Sequence, residues 1–365
     1  MISLVDLTAQ YHSIKKEIDD AVLSTLESGH FILGPQVTKF EECIASYLGV
    51  DHAVGLASGT DALVIALRAL NIGAGDEVIV PAYTFFATAG TVMAVGARPV
   101  FVDIDLQSYE MDTSRIESAI TPKTRAIIPV HLYGHPAEMN PILDIARAHD
   151  LKVIEDNAQG FGAEYLGMKT GSIGDIGCLS FFPTKNLGAF GDAGMAVTND
   201  AALAERMRML RSHGWKKKYY SEEVGYNSRL DALQAAILQA KFPYTDSWNE
   251  KRRELAHRYS KHLAPLGITM PIEMDWGKHV YHLYIIRSEK RDDLQAFLKQ
   301  KGIATEVYYP LPPHLSIPCR KFGYKEGDFP HAELAAHETL ALPLYPELTS
   351  TQQDEVIAAV KEFVG

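Results

Sequence analysis

The chain has 365 residues. At roughly 150 residues per domain this predicts about two domains, with enough length to bury a core without disulfide or metal staples. A content of 47% hydrophobic and 22% charged residues, with 27 Gly and 18 Pro, excludes a disordered, collagen-like or coiled-coil chain, and a net charge of −11, from 35 Lys and Arg against 46 Asp and Glu, argues against a nucleic-acid binder.

The opening MISLVDLTAQYHSIKKEIDD lacks a charged head followed by an apolar run, so no signal peptide is expected. Cys43, Cys178 and Cys319 are few, odd in number and far apart. They make neither a disulfide framework nor a zinc spacing, and they suit a reducing, cytoplasmic compartment. Further along, β-rich runs at 53–56, 78–80, 99–102, 126–130 and 152–155 alternate with helical patterns at 61–70, 88–95, 112–119 and 139–149. That alternation predicts βαβ units and a parallel sheet covered on both faces. The stretch from Val78 to Ala97 carries no charge and is long enough to span a bilayer. Pro81, Gly90 and Gly96 divide it into a buried strand and a buried helix, so no membrane span is expected. Apolar runs at 177–182 and 194–198 lie too close for a crossover helix, which predicts an antiparallel part of the sheet. Beyond Asp200 the pattern predicts helices at 201–210 and 229–241, then a charged stretch at 249–262. It continues as strand 281–286, helix 292–301, strand 305–308 and helix 351–363. The expected organisation is a large domain at 1–241 and a small α+β domain at 242–365.

No P-loop and no dinucleotide fingerprint occurs, so a nicotinamide enzyme is unsupported. His131 and His135 are four apart, but HLYGHP cannot form one helical face and no carboxylate completes a metal set. His279 and His282 fall on opposite faces of a strand start. All four are expected to be structural, with no metal.

Four segments carry chemistry. Ala57–Leu63 (ASGTDAL) ends a strand and opens a helix, where free N–H groups make an anion site. Val153–Gln159 (VIEDNAQ) delivers carboxylates to the C-terminal edge of a sheet, where one can pair with a buried cation such as a protonated ring nitrogen. Cys178–Gly188 (CLSFFPTKNLG) runs an apolar strand into a polar turn bearing one lysine. An amine in apolar surroundings loses its proton and becomes a nucleophile suited to Schiff-base chemistry. Ser180 and Thr184 offer hydroxyls to a phosphate. Gly225–Asp231 (GYNSRLD) precedes a helix, with Asn227 as a cap and Arg229 as a bidentate anion clamp. Taken singly, each has a plain alternative: a helix cap, a turn carboxylate or a solvated lysine.

Together and in this order, with FILGPQVTKFEE, GFGAEYLGMKTGSIGDIG, EVYYPLPPHL and LPLYPELT, they resemble the DegT/DnrJ/EryC1/StrS family of sugar aminotransferases, which use pyridoxal 5′-phosphate. The resemblance covers nearly the whole chain. It implies an α/β, aspartate aminotransferase-like fold with a mostly parallel seven-stranded sheet and a smaller C-terminal domain. It also implies a homodimer with active sites at the interface. By position, Lys185 matches the lysine that forms a Schiff base with the cofactor. Asp156 matches the carboxylate that keeps the pyridine nitrogen protonated, and Gln159 the residue at the ring oxygen. Gly59, Thr60 and Ser180 match phosphate ligands, and Asn227 an asparagine reaching that phosphate from the partner subunit. Phe85 matches the aromatic stacked on the ring, with core packing as its alternative because Tyr83 and Phe86 adjoin it.

The implied reaction moves an amino group from glutamate to a keto-sugar nucleotide. Such a reaction serves amino-sugar and polysaccharide synthesis, for example of lipopolysaccharide O-antigen. Arg229 and Tyr309 are candidates for contacting the sugar nucleotide. Arg206–Lys218 holds six Arg or Lys, which either meets a diphosphate or is a solvated loop. One departure stands out: the family often has His-Tyr-Pro where this chain has Tyr308-Tyr309-Pro310. The opening LVDLTAQY looks like members acting on 3-keto rather than 4-keto sugars. The alternatives are a 4-keto-sugar aminotransferase, a pyridoxal-phosphate sugar dehydratase and a non-catalytic regulatory protein. Dehydratases carry histidine where Lys185 stands. The net charge and the intact Lys185, Asp156 and Gln159 oppose the regulator.

Overall fold

In the computed structural model, which describes residues 1–365, the β-branched runs assemble into one seven-stranded sheet. In chain order its strands are β1 (His52–Leu56), β2 (Glu77–Pro81), β3 (Arg98–Val102), β4 (Thr124–Ile127), β5 (Lys152–Asp156), β6 (Ile176–Ser180) and β7 (Gly194–Thr198). In space the order is β1-β7-β6-β5-β4-β2-β3. Strands β3, β2, β4, β5 and β6 are parallel, whereas β7 runs antiparallel to both β6 and β1. The close spacing of the last two apolar runs therefore produced the expected antiparallel strand. Side chains on one strand alternate between faces. Thus Val78 and Val80 of β2 join one hydrophobic core while Ile79 joins another. Every residue of β2 and β7 is buried, as a sheet covered on both faces requires.

The uncharged stretch folds as β2 and the helix Ala87–Ala94. No helix of the chain is long and apolar enough to cross a membrane. The helix Gly59–Ala69 buries Ala62, Leu63, Ile65, Ala66, Leu67 and Ala69 against the sheet. Ser58 caps it, accepting the Asp61 N–H at 3.0 Å.

A second core lies beyond the helix Ala232–Lys241. The helix Thr245–Leu263 contributes Ala256 and Tyr259 to it. Strands β8 (Tyr284–Arg287) and β9 (Thr339–Leu342) pair antiparallel and contribute Tyr284 and Leu340. The helices Arg291–Gln300 and Ser350–Val364 cover them with Leu294, Leu298, Val356 and Val360. Ile2 belongs to this core too, because the Ile2 N–H donates to Gly302 O at 2.8 Å and Ile2 O accepts the Ala304 N–H at 2.9 Å. In return, Cys319, Ala332 and Ala335 pack into the core of the large sheet.

Three segments differ from the sequence expectation. Residues 112–119 form two short 3-10 turns, Thr113–Arg115 and Glu117–Ala119. The Asp112 carboxylate accepts the Ser114 N–H at 3.1 Å and competes with a continuous helix. The helix expected at 229–241 starts at Ala232, because bridges Ser212–Asn227 and Ile32–Asp231 hold the preceding segment extended. Residues 305–308 form no strand. Only Glu306 bridges Ala341, and Thr339–Leu342 supplies the partner of β8 instead.

Candidate active site

Strand β5 ends in two adjacent carboxylates that point to opposite faces. Glu155 is fully buried and accepts N–H groups from Gly171 (2.7 Å), Ile173 (2.6 Å) and Gly174 (2.7 Å). His131 Nε2 lies 2.9 Å from Glu155 Oε2, while His131 Nδ1 accepts the Ala137 N–H. Glu155 and His131 thus hold a loop together and are structural. Asp156 faces a cavity of about 430 Å³. Its Oδ2 accepts the Thr88 hydroxyl at 2.7 Å and its Oδ1 accepts the Ala158 N–H at 3.2 Å. Burial raises its pKa, while the Thr88 and Ala158 hydrogen bonds and the charge of Lys185 pull the other way.

Lys185 follows β6 in a turn whose backbone is fixed by its N–H donating to Phe182 O at 2.8 Å. Its side chain is half-buried and opens into the same cavity. Desolvation lowers the Lys185 pKa to about 8, against the pull of Asp156. No ion pair closes between Lys185 and any carboxylate, and the ammonium donates to no protein group. An amine poised near neutrality, set apart from the carboxylate that attracts it, leaves room for a flat group bonded at both ends.

An anion cradle adjoins them. Ser58 occupies the N–H groups of Asp61 and Ala62, which leaves those of Gly59 and Thr60 at the helix terminus. Gly59 abuts Ser180: a Cβ at 59 would stand 2.6 Å from Ser180 Cβ, so only glycine lets the terminus close on β6. Gly59, Thr60, Ser180 and Thr184 all line the cavity. An N-terminus framed by hydroxyls receives a phosphate.

Gln159 joins two loops. Its Oε1 accepts the Tyr133 N–H at 2.7 Å and its Nε2 donates to Tyr309 Oη at 2.9 Å. Burial raises the Tyr309 pKa, so this phenol stays neutral. The Tyr309 N–H donates to Tyr83 Oη at 2.9 Å, and Tyr308 O accepts hydrogen bonds from the hydroxyls of Tyr83 and Tyr133. The Tyr309 ring lies 5.5 Å from that of Phe85, which is 53% exposed at the cavity.

Lys185, Asp156, Gln159, Gly59, Thr60, Phe85, Ser180 and Tyr309 therefore come together around one cavity. Asn227 and Arg229 do not line it. Asn227 is exposed, and the neighbouring Ser228 donates to Asp61 Oδ2 at 2.6 Å. Half of the six cations of the basic segment are paired locally: Arg206 with Glu223 (3.1 Å), Arg211 with Glu41 (2.6 Å) and Lys216 with Glu205 (3.2 Å).

Sequence reading missed three groups. Thr88 orients Asp156. His282, expected to be structural, lines the cavity, with its Nδ1 3.2 Å from Asn186 Oδ1. Burial and the charges of Lys185 and Arg252 drive its pKa well below the ordinary value, so it is neutral. Arg252 also lines the cavity. Its signal was available, because Trp248, Asn249, Arg252, Ala256 and Tyr259 fall on one face of a helix, which places an arginine among core positions.

An amine, a carboxylate and an anion cradle around one cavity define the site of a pyridoxal-phosphate enzyme, and the donor set fits that cofactor. The model of the DegT/DnrJ/EryC1/StrS aminotransferase family matches residues 12–361, and the chain belongs to that family. It is 52% identical, over 99% of this chain and 98% of the relative, to a "Pleiotropic regulatory protein" of Geobacillus stearothermophilus. It is 47% identical, over 99% and 97%, to a UDP-N-acetyl-3-dehydro-alpha-D-glucosamine 3-aminotransferase of Acidithiobacillus ferrooxidans. Among solved structures it resembles DesV of S. venezuelae in complex with a ketimine intermediate, with a TM-score of 0.97 and 45% identity over 100% and 98% of the two chains. It also resembles NtdA of Bacillus subtilis with bound cofactor PMP, with a TM-score of 0.93 and 37% identity over 100% and 85%. The fold is that of the pyridoxal-phosphate aminotransferases, and the protein is a pyridoxal-phosphate-dependent aminotransferase.

Proposed function

We propose that the enzyme moves the amino group of glutamate to C3 of a keto-sugar joined to UDP or dTDP, in cytoplasmic amino-sugar synthesis of the kind that supplies O-antigen. The observation that carries the chemistry is the unpaired Lys185 amine, with a pKa lowered to about 8, facing Asp156 beside the Gly59–Ser180 cradle. The choice of C3 rests on the opening LVDLTAQY and on the 3-aminotransferase relative. When bound, pyridoxal phosphate supplies an electron sink for the carbanion formed beside the transferred nitrogen.

Lys185 Nζ, as the neutral amine, takes the proton from the Cα of the donor and later returns one to the sugar carbon. Asp156 holds a proton on the ring nitrogen by remaining a carboxylate, with Thr88 keeping it aimed. Gly59, Thr60 and Ser180 bind the phosphate. Asn227 reaches it from a second copy of the chain, in a homodimer that shares its active sites. Phe85 covers one face of the ring, and Gln159 meets the ring oxygen. Tyr309 and Arg229 contact the sugar nucleotide. Residues 1–241 act as the large cofactor-binding domain and 242–365 as the small C-terminal domain.

A regulatory role has one observation in its favour, the name of the 52% identical relative. The poised lysine and its cavity favour the enzyme. Incubation with glutamate and UDP- or dTDP-linked 3-keto-sugars, with mass spectrometry of the sugar product, tests the assignment. The wild type is expected to form the amino-sugar and Lys185→Ala to bind the cofactor without turnover. Undiminished turnover by Lys185→Ala would sink the assignment.

A further inference from the structure

Of the three fully buried arginines, Arg211 and Arg291 each hold a carboxylate, as do the half-buried Arg253 and Arg287. Arg211 holds Glu41 at 2.6 Å, Arg253 holds Glu273 at 2.6 Å, Arg287 holds Glu338 at 3.1 Å and Arg291 holds Asp292 at 2.5 Å. Arg252 is the exception. It is only 3% exposed and forms no ion pair. Its Nη1 donates to Leu344 O at 2.9 Å and, at longer range, to His282 O (3.4 Å) and Tyr281 O (3.5 Å). Its Nε is buried without a partner, and its Nη2 donates to nothing in the chain. Burial lowers its pKa only to about 10, so it stays charged at neutral pH, and Glu347 attracts it from beyond ion-pair distance.

A buried guanidinium without a counter-ion is costly. Arg252 lines the same cavity as Lys185 and has His282 beside it. His282 is neutral and sits under the influence of both cations. Arg252 is held on one edge by carbonyls, so its remaining N–H groups are fixed rather than floppy. With Nη1 on the carbonyls and Nε sealed, Nη2 is left as the donor free for a carboxylate in the cavity, a charge-assisted hydrogen bond.

We propose that Arg252 receives the side-chain carboxylate of the amino donor and thereby selects a dicarboxylic amino acid. The inference rests on the reading of the protein as a glutamate-dependent aminotransferase. The sugar nucleotide carries its charge on a diphosphate rather than a carboxylate, and Arg252 lies at the cavity wall near His282 and Lys185. Its loss therefore strikes the half-reaction with the donor and spares the half-reaction with the sugar.

The holoenzyme tests this by stopped-flow absorbance, one half-reaction at a time. Arg252→Gln is expected to raise the glutamate concentration for half-maximal rate by about 10- to 100-fold, the range for losing a hydrogen bond to a charged group. The half-reaction with the keto-sugar nucleotide should change less than about twofold. Glutarate, a dicarboxylate with no amine, provides a readout without turnover: calorimetry should show it bound by the wild type and weakened by a similar factor in Arg252→Gln. Arg252→Lys keeps the charge but not the planar group that aims Nη2, and its loss should fall between the two. It also carries the test if the glutamine variant fails to fold. Equal losses in both half-reactions, or unchanged glutamate dependence and glutarate affinity, would overturn the proposal. A wild type that ignores glutamate but binds glutarate through Arg252 would instead overturn the donor reading and leave the arginine as a dicarboxylate site.

Discussion

At the scale of single residues, function here depends on neighbours that differ only in which way they face. Glu155 and Asp156 are consecutive, yet one is saturated by three N–H groups and the other is reserved for the cavity. The motif at 153–159 announced a carboxylate at the sheet edge and the family resemblance singled out Asp156; strand alternation supplies the physical reason. Lys185 makes a pH prediction possible. Its pKa falls from the ordinary 10.5 to about 8 because burial penalises the ammonium, and Asp156 works against that fall. The nucleophile is the deprotonated amine, so the rate at which the cofactor-free protein captures pyridoxal phosphate should rise with pH, pass its midpoint near 8 and then level off. Asp156→Asn removes the charge that holds the proton on, so the midpoint should move to lower pH. Absorbance traces across a pH series measure both. A wild-type midpoint near 10.5, or an upward shift in Asp156→Asn, would contradict this account of the lysine. Arg252 was less legible than Lys185: helical spacing marks it as an arginine among core positions, but no local motif surrounds it and its partners Leu344 and His282 meet it only in the fold.

At the scale of elements, the decisive piece is the turn from Phe182 to Gly188, which brings Lys185 to the cavity. It is closed very tightly. A Cβ at Gly188 would come within 2.3 Å of Pro183 O and 2.9 Å of Phe182 O, both backbone atoms that cannot rotate away. The Gly188 carbonyl is in turn held by Lys241 Nζ at 2.5 Å, at the end of the helix Ala232–Lys241. Gly188→Ala should therefore cost about 1–3 kcal/mol in urea unfolding, the usual penalty for overpacking, and should slow cofactor capture by displacing Lys185. Gly191→Ala is the control. Its new Cβ would meet only the Gln234 side chain, at 3.1 Å, so the cost should stay within about 0.5 kcal/mol. Equal effects at the two positions would show that the turn tolerates widening. The large elements were readable because hydrophobic runs of period two and helical spacing both report burial. Short segments were not. At 112–119 a side-chain oxygen captured a backbone N–H, and at 305–308 pairing was lost to β9, which lies over thirty positions further along. Local pattern carries no information about such competitors.

For the whole molecule, the cavity is a joint construction. Leu4 and Val5 line it from the N-terminus, Asp156 and Lys185 from the large sheet, and Arg252, His282 and Tyr309 from the C-terminal part. The composition predicted two bodies, but it could not predict that Ile2 crosses to the second core, because a single isoleucine carries no mark of its partner. Phe85 and Phe182 line the cavity and are 53% and 49% exposed. The homodimer proposed above would cover exposed aromatic side chains of this kind, and Asn227 and Arg229 lie outside the cavity of their own chain. A second copy satisfies both facts if each subunit completes the site of the other. Mixing two defective variants tests this directly. Lys185→Ala removes the amine, and Asn227→Asp sets a carboxylate against the phosphate. Each homodimer should be nearly inactive at limiting cofactor. In a reassorted heterodimer, one site collects both defects and the other collects none. Equal mixing should therefore restore turnover to roughly a quarter of wild type, since half the dimers are mixed and half of their sites are intact. Sedimentation should report a dimer under the same conditions. A mixture no more active than its components, or full activity from a monomer, would place Asn227 outside the partner's catalytic site and leave each chain to act alone.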